Sequence, residues 1–215
     1  MKHFLPLLIA VFVVGLGPPV LGETIPVLDQ SQVLVDGGSR VYSTRELCQT
    51  FTCGIDGLLV KVSMSFSDLS DELAPATISI VGTTDGAPNS DDVLWTQDYP
   101  NGLAQEWFDV DLSAAALLLQ AGEVYGICLQ SPDAVYGDPD DVWDTNYGGK
   151  GDAYAGGQLW ENRGDVWQSM SAGGTSYPYA DAAFKTWMVA VPEPSTIALL
   201  IVLSASILVS KKHFL

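Results

Sequence analysis

The side chains best suited to chemistry in this 215-residue sequence are aromatics set among amides and carboxylates. Between Asp133 and Trp167 stand Trp143, Tyr147, Tyr154, Trp160 and Trp167, interleaved with glycines and accompanied by Asn146, Asn162 and Arg163. Such a set suits sugars: an aromatic ring stacks on the C–H face of a pyranose while neighbouring polar groups bond its hydroxyls. The candidate saccharide contacts are Trp143, Tyr147, Trp160 and Trp167. The opposing reading is packing, because large aromatics in β domains more often plug the core or cover its open end.

Other reactive groups are fewer. Asp138, Asp140, Asp141 and Asp144 could gather oxygens around a structural Ca²⁺, although they lack the Asp-x-Asp-x-Asp-Gly spacing of an EF-hand loop; the plainer reading is an acidic loop. No other cofactor is expected. The two histidines, His3 and His213, lie at the extreme ends. The stretch between them therefore has no imidazole for a Ser-His-Asp or Cys-His nucleophile, nor for an ordinary zinc site. Glycosidase chemistry needs only two carboxylates, and Glu106, Glu123 and Glu161 are present, but in so acidic a chain a pair arises by chance. No catalytic residue is assigned.

Cys48, Cys53 and Cys128 imply one disulfide and one spare thiol in an oxidising compartment. If Gln49 to Thr52 is extended, Cys48 and Cys53 stand about 16 Å apart and cannot pair. Cys53 shares an inward face with Phe51, so the expected bridge is Cys53 to Cys128 across the core.

These groups need a scaffold, and the sequence between the ends reads as β throughout. Short runs rich in β-branched and aromatic residues alternate with turn clusters. Expected strands are Gln49–Cys53, Leu58–Phe66, Thr77–Gly82, Val93–Asp98, Trp107–Leu112, Val124–Gln130, Val142–Tyr147, Gln158–Glu161, Val166–Met170 and Ala183–Val189. Leu58, Val60, Val62, Met64 and Phe66 would share one buried face. Leu117 to Leu119, after three alanines, could form a helical turn. The expected fold class is all-β, a jelly-roll-like two-sheet β-sandwich over residues 23–190.

Both flanks carry targeting features. Met1-Lys2-His3, an apolar run from Phe4 to Leu16 and the small-residue exit Val20-Leu21-Gly22 make residues 1–22 a signal peptide, with Glu23 as the mature start. At the other end, Val191-Pro192-Glu193-Pro194-Ser195-Thr196 is stiffened by its prolines, and an apolar stretch then runs to Lys211 and Lys212. As a helix, Thr196 to Ser210 would reach about 22 Å, short of the ~30 Å hydrocarbon core. It can enter a bilayer as a short hydrophobic helix but spans it poorly.

Charge narrows the partners. Of nine Lys and Arg, three (Lys2, Lys211, Lys212) lie in the flanks; of 26 acids only Glu193 does, so residues 23–190 carry about −19. That field repels phosphate backbones and anionic lipid surfaces, which excludes nucleic acid as a partner.

The C-terminal order of Val191, Pro192, Glu193, Pro194 and Ser195, apolar stretch and lysines resembles the PEP-CTERM sorting signal of exported bacterial proteins. The resemblance implies that residues 191–215 are a sorting or anchor segment read by an exosortase-type enzyme. It also implies a Gram-negative-type cell that makes extracellular polysaccharide. An ordinary membrane anchor would give the same topology without cleavage. The middle, through Gln49-Thr50-Phe51, Gly86-Ala87-Pro88, Leu119 to Tyr125, Tyr154 to Gly157 and Ala183 to Thr186, resembles the exported "choice-of-anchor" β-sandwich group, which implies fold and no settled activity. The expected protein is thus exported through its signal peptide, which signal peptidase removes, to the envelope, surface or matrix, and is non-catalytic. It would associate with extracellular polysaccharide; the alternatives are a dedicated carbohydrate-binding module and, third, a polysaccharide hydrolase.

Overall fold

The computed structural model describes residues 25–66, 74–100, 106–136, 143–148, 154–170 and 181–191. The expected signal peptide, residues 1–22, lies outside them, as does all of the expected sorting segment, residues 191–215, except Val191. Among the described residues no helix is long and apolar enough to cross a membrane.

The chain is an all-β sandwich of antiparallel strands. One layer is built on β4 (Gly57–Ser65). Along one edge β4 pairs with β14 (Phe184–Ala190), which in turn pairs with β1 (Val27–Gln32). Along the other edge lie β7 (Trp107–Asp111) and β8 (Leu117–Leu119), end to end. A three-stranded sheet of β2 (Gly37–Val41), β10 (Trp143–Gly148) and β13 (Asp181–Ala182) continues this layer through the Phe66–Thr145 bridge. The facing layer has six strands: β12 (Trp167–Ser169), β11 (Leu159–Asn162), β3 (Glu46–Thr52), β9 (Val124–Gln130), β5 (Ala76–Thr84) and β6 (Ala87–Tyr99), in that order.

Side-chain alternation fixes which face of each strand meets the other layer. On β3, Leu47 and Phe51 point inward with Cys53 just beyond; on β9, Ile127 and Leu129; on β5, Ile78 and Ile80. Phe51 meets Phe184 of the opposite layer at 6.2 Å between ring centroids, and Tyr154 stands edge-on to Phe184 at 5.1 Å. Gln49 also points inward and is fully buried, so its amide must find partners there. It donates to Asp181 Oδ1 at 3.1 Å and accepts from the Ala182 amide at 2.6 Å, while Asp181 Oδ2 accepts from the Tyr154 amide at 3.0 Å. A buried polar tie thus joins the layers.

All ten expected strands form, with boundaries shifted by a few residues. The face expected for β4 is correct only in part. Val62, Met64 and Phe66 are in the core, but Leu58 and Val60 are not; Leu59, fully buried, takes their place. The cause is a bulge. Met188 pairs with Leu59 while the adjacent Trp187 pairs with Lys61, leaving Val60 unmatched. One extra residue inverts the alternation on one side of it. The helical turn expected at Leu117 falls earlier, as a 3₁₀ turn at Ser113–Ala115; Ala116 then takes a left-handed φ of 50° and Leu117–Leu119 runs on as β8.

The bulge makes two adjacent leucines unequal. Leu59→Ala should cost about 2–5 kcal/mol, whereas Leu58→Ala should cost under ~1 kcal/mol, as read from urea unfolding of the two variants. Equal costs would contradict the register.

Candidate functional site: an aromatic face over a disulfide

The outward positions of β3, β9 and β11 build the site. On β3 these are Glu46, Cys48, Thr50 and Thr52, the complement of the inward set. Cys48 lies directly opposite Cys128 on β9, and the two form the disulfide. This corrects the expected Cys53–Cys128 bridge. Cys53 does face inward, but Cys128 lies between the core residues Ile127 and Leu129 and so faces outward, where only Cys48 can meet it. Cys53 is a buried free thiol whose Sγ contacts the Ile55 carbonyl at 3.2 Å; burial pushes its pKa up.

The outward bridge is itself covered. Cys48, Cys128 and Val81 form a small second core, with Trp160 and Trp167 packed against it. Trp160 is the cross-strand neighbour of Cys48 on β11, and β12 brings Trp167 beside it by pairing with Asn162. Each indole has a polar anchor: Trp167 Nε1 donates to Ser90 Oγ at 2.9 Å, and Trp160 Nε1 to Thr50 Oγ1 at 3.4 Å. Room for the bridge comes from Gly126, where an added Cβ would stand 2.7 Å from Cys48 Sγ and 3.0 Å from Val81. Both indoles remain partly exposed. They form an apolar, anchored platform on the outer surface.

Polar groups flank that platform. Arg45 Nε pairs with Glu161 Oε2 at 2.9 Å, and Arg163 reaches the same oxygen at 3.1 Å. Asn162 Nδ2 donates to Glu46 Oε2 at 3.3 Å, while its own Oδ1 is buried without a hydrogen-bond partner among the described residues. Burial pushes the Glu46 carboxyl above its ordinary range, against the lowering effect of hydrogen bonds from Asn162 and Gln130. Glu161 is committed to its two arginines, and Glu106 and Glu123 are exposed on other segments.

The other expected site residues are distributed differently. Trp143, Asp144 and Tyr147 lie on β10, in a different sheet from Trp160 and Trp167, and their side chains fall outside the described residues. Asp138, Asp140 and Asp141 also lie outside. Among the described residues no group of three or more His, Cys, Asp or Glu could hold a metal. Val191, the first residue of the expected sorting motif, donates its amide to the Asp56 carbonyl at 3.1 Å; Pro192, Glu193, Pro194 and Ser195 lie outside the described residues.

Sequence reasoning missed a second aromatic face, on the outer side of the five-stranded sheet. There Lys61 Nζ sits 3.7 Å from the Trp187 ring centroid and Lys185 Nζ 3.9 Å from that of Trp107. Asp109 lies between them, bound by Lys61 at 3.1 Å and by the Ser63 hydroxyl. The Ser63 hydrogen bond first, then Lys61, holds its carboxyl below the usual carboxylate range. The signal was present in the sequence: Trp107-x-Asp109-x-Asp111 and Lys185-x-Trp187 each have the period of one strand face.

No protein-family model matches the chain, and no curated protein matches it. Among solved structures it is similar to the cysteine protease and lectin-like domains of Cwp84, a surface-layer-associated protein of Clostridium difficile. The TM-score is 0.51 at 12% identity, over 71% of this chain and 34% of that one. A clostridial Cwp84 cysteine protease structure after propeptide cleavage gives 0.50 at 13%, over 71% and 38%. The chain spans about a third of either protein's length, and at these identities the likeness is one of fold.

Two measurements check the site. The bridge closes a separation of 80 residues, for which chain entropy allows up to about 4.5 kcal/mol. The paired change Cys48→Ser with Cys128→Ser should therefore lower the urea midpoint strongly, and thiol counting of the denatured, unreduced protein should find one thiol, lost in Cys53→Ser. Glu46 titrates with stability in the opposite sense to an ordinary ion-paired acid. Its folded pKa is raised, so its contribution is full below about 4.5, its ordinary value, and is lost as pH rises through the folded value. Melting temperatures of Glu46→Gln should match the parent at low pH and exceed it at neutral pH.

Proposed function

We propose that this chain is an exported, envelope-sorted, non-catalytic β-sandwich protein that associates with extracellular polysaccharide or matrix. The observation that carries the reading is the anchored pair Trp160 and Trp167, standing partly exposed over a disulfide on the outer face of a sheet. A platform of this kind offers stacking area and needs no moving part. The disulfide suits an oxidising, extracytoplasmic compartment. The domain contains no histidine, which removes the commonest general base and nucleophile activator. Fold likeness to a surface-layer-associated protein with a lectin-like domain is in keeping with contact at a cell surface.

Sorting rests on the two flanks. Signal peptidase would release residues 1–22, and an exosortase-type enzyme would act on residues 191–215, which meet the membrane before processing. A dedicated carbohydrate-binding module is the second reading, favoured by the common face of Trp160 and Trp167. In that reading Trp160→Ala abolishes the fluorescence response to the host's polysaccharide.

The deciding experiment is mass spectrometry of the protein from fractionated cells, together with its co-sedimentation with extracellular polysaccharide. The expected species starts at Glu23, lacks the apolar tail, and travels with the envelope or the polysaccharide. A full-length chain in the cytoplasmic fraction would sink the proposal.

A further inference from the structure

We infer that the outer face of the five-stranded sheet is a separate saccharide-binding surface, formed by Trp107, Trp187, Lys61, Lys185 and Asp109, and that its ligand is an extended neutral polysaccharide chain. The inference rests on the proposed association with polysaccharide and names the face and ligand class.

Register places the parts. Trp187 on β14 is opposite Lys61 of β4, and Trp107 on β7 is opposite Ser65 of β4, with Lys185, Ser63 and Asp109 in the row between. Four residues along β4 and two strand spacings separate the backbone positions of Trp107 and Trp187, a diagonal of about 16 Å. One monosaccharide cannot bridge that distance, whereas a run of linked sugars can. Beside Trp187 opens a cleft of about 310 Å³ lined by Pro26, Val60, Lys61, Asp111, Ser113 and Trp187. The bulge at Val60 places that residue on the cleft wall instead of in the core.

The side chains between the indoles are hydroxyl-recognising groups. Lys61 and Lys185 bring ammonium donors, Asp109 is a carboxylate acceptor, and Ser63 hydrogen-bonds Asp109. Each ammonium now covers an indole. A sugar ring that took its place on the ring face would leave the ammonium free to bond that sugar's hydroxyls, so one set of contacts exchanges for another.

Charge selects the ligand class. Lys61 and Lys185 balance Asp109 and Asp111, so the face is neutral overall. Elsewhere in residues 23–190 only four basic residues stand against 23 acids. A polyanion approaching this face meets the repulsion of the whole domain, and a polycation would be drawn to every other surface as strongly as to this one. A neutral chain is the ligand for which this face differs from the rest.

The test is affinity gel electrophoresis of the mature protein through hydroxyethylcellulose, galactomannan, dextran and alginate. Retardation is expected in at least one neutral polymer, weakened about tenfold in Trp187→Ala and Trp107→Ala and unchanged in Asp85→Asn, at the exposed turn between β5 and β6 of the other sheet. Lys185→Gln, which keeps both indoles, should also weaken it and serves if a tryptophan variant fails to fold. Loss in Trp160→Ala with retention in Trp187→Ala would overturn this face while leaving polysaccharide association standing on the other sheet. Retardation by alginate alone would overturn the neutral class. No retardation by any polymer would overturn the inference, whereas the broader reading would still be judged by co-sedimentation with the host's own polysaccharide.

Discussion

The pairing of β3 with β9 is the constraint on which the other arrangements depend. Both strands lie in the middle of the six-stranded layer, so an error of one residue in their register would turn every side chain of one strand over relative to the other. With β3 so turned, Cys48 and Thr50 would face inward where Leu47 and Phe51 now fill the core opposite Ile127 and Leu129 of β9. The Cys48–Cys128 bond makes that slip covalently impossible. It also explains why the bond lies outside the main core. A core position needs volume and hydrophobic area, which Phe51 and Ile127 supply better than a bridge. The outer face needs a fixed register and a support for two indoles.

The fold was legible because strand periodicity survives in single segments. Ten strands announce themselves by β-branched and aromatic residues between turns, and Phe108, Val110 and Leu112 face inward as their spacing requires. What escaped has a physical cause in each case. β1 reads Val-Leu-Asp-Gln-Ser-Gln and is an edge strand with a register shift between Leu28 and Gln30, so no alternation marks it. β2 is Gly-Gly-Ser-Arg-Val, too polar to stand out. The bulge at Val60 depends on β14, more than 120 residues away in sequence, and nothing local betrays it.

The candidate site was legible by residue type and opaque by partner. Trp160 and Trp167 stand out in the sequence because they lie close together among glycines. Their support could not be read, because Cys48 and Cys128 come from other strands and the correct pairing required both cysteines to have outward parity. The inward assignment of Cys53 was right; the same counting applied to Cys128, between Ile127 and Leu129, would have excluded their bond. Trp107 and Trp187 are illegible as one surface for the converse reason. Their alternation with Asp109 and Lys185 is clear within each strand, but β4 must lie between them before they form one surface.

The two outer faces differ in how they hold their indoles, and the difference bears on what each can do. Over the disulfide, both indole N–H groups are spent on Ser90 and Thr50, and one side of each ring rests on the bridge or on Val81. Removing either ring would expose a second core, so part of their burial serves stability. On the opposite sheet the rings are covered by ammonium groups on long flexible stems. Covering of that kind is worth about 0.5–1 kcal/mol at exposed sites, little enough for a ligand to displace it. The two faces thus differ physically: one holds its rings rigidly, the other under groups that can exchange. Charge separates the faces too: Lys61 and Lys185 offset Asp109 and Asp111 on the five-stranded sheet, whereas the rest of residues 23–190 holds four basic residues against 23 acids.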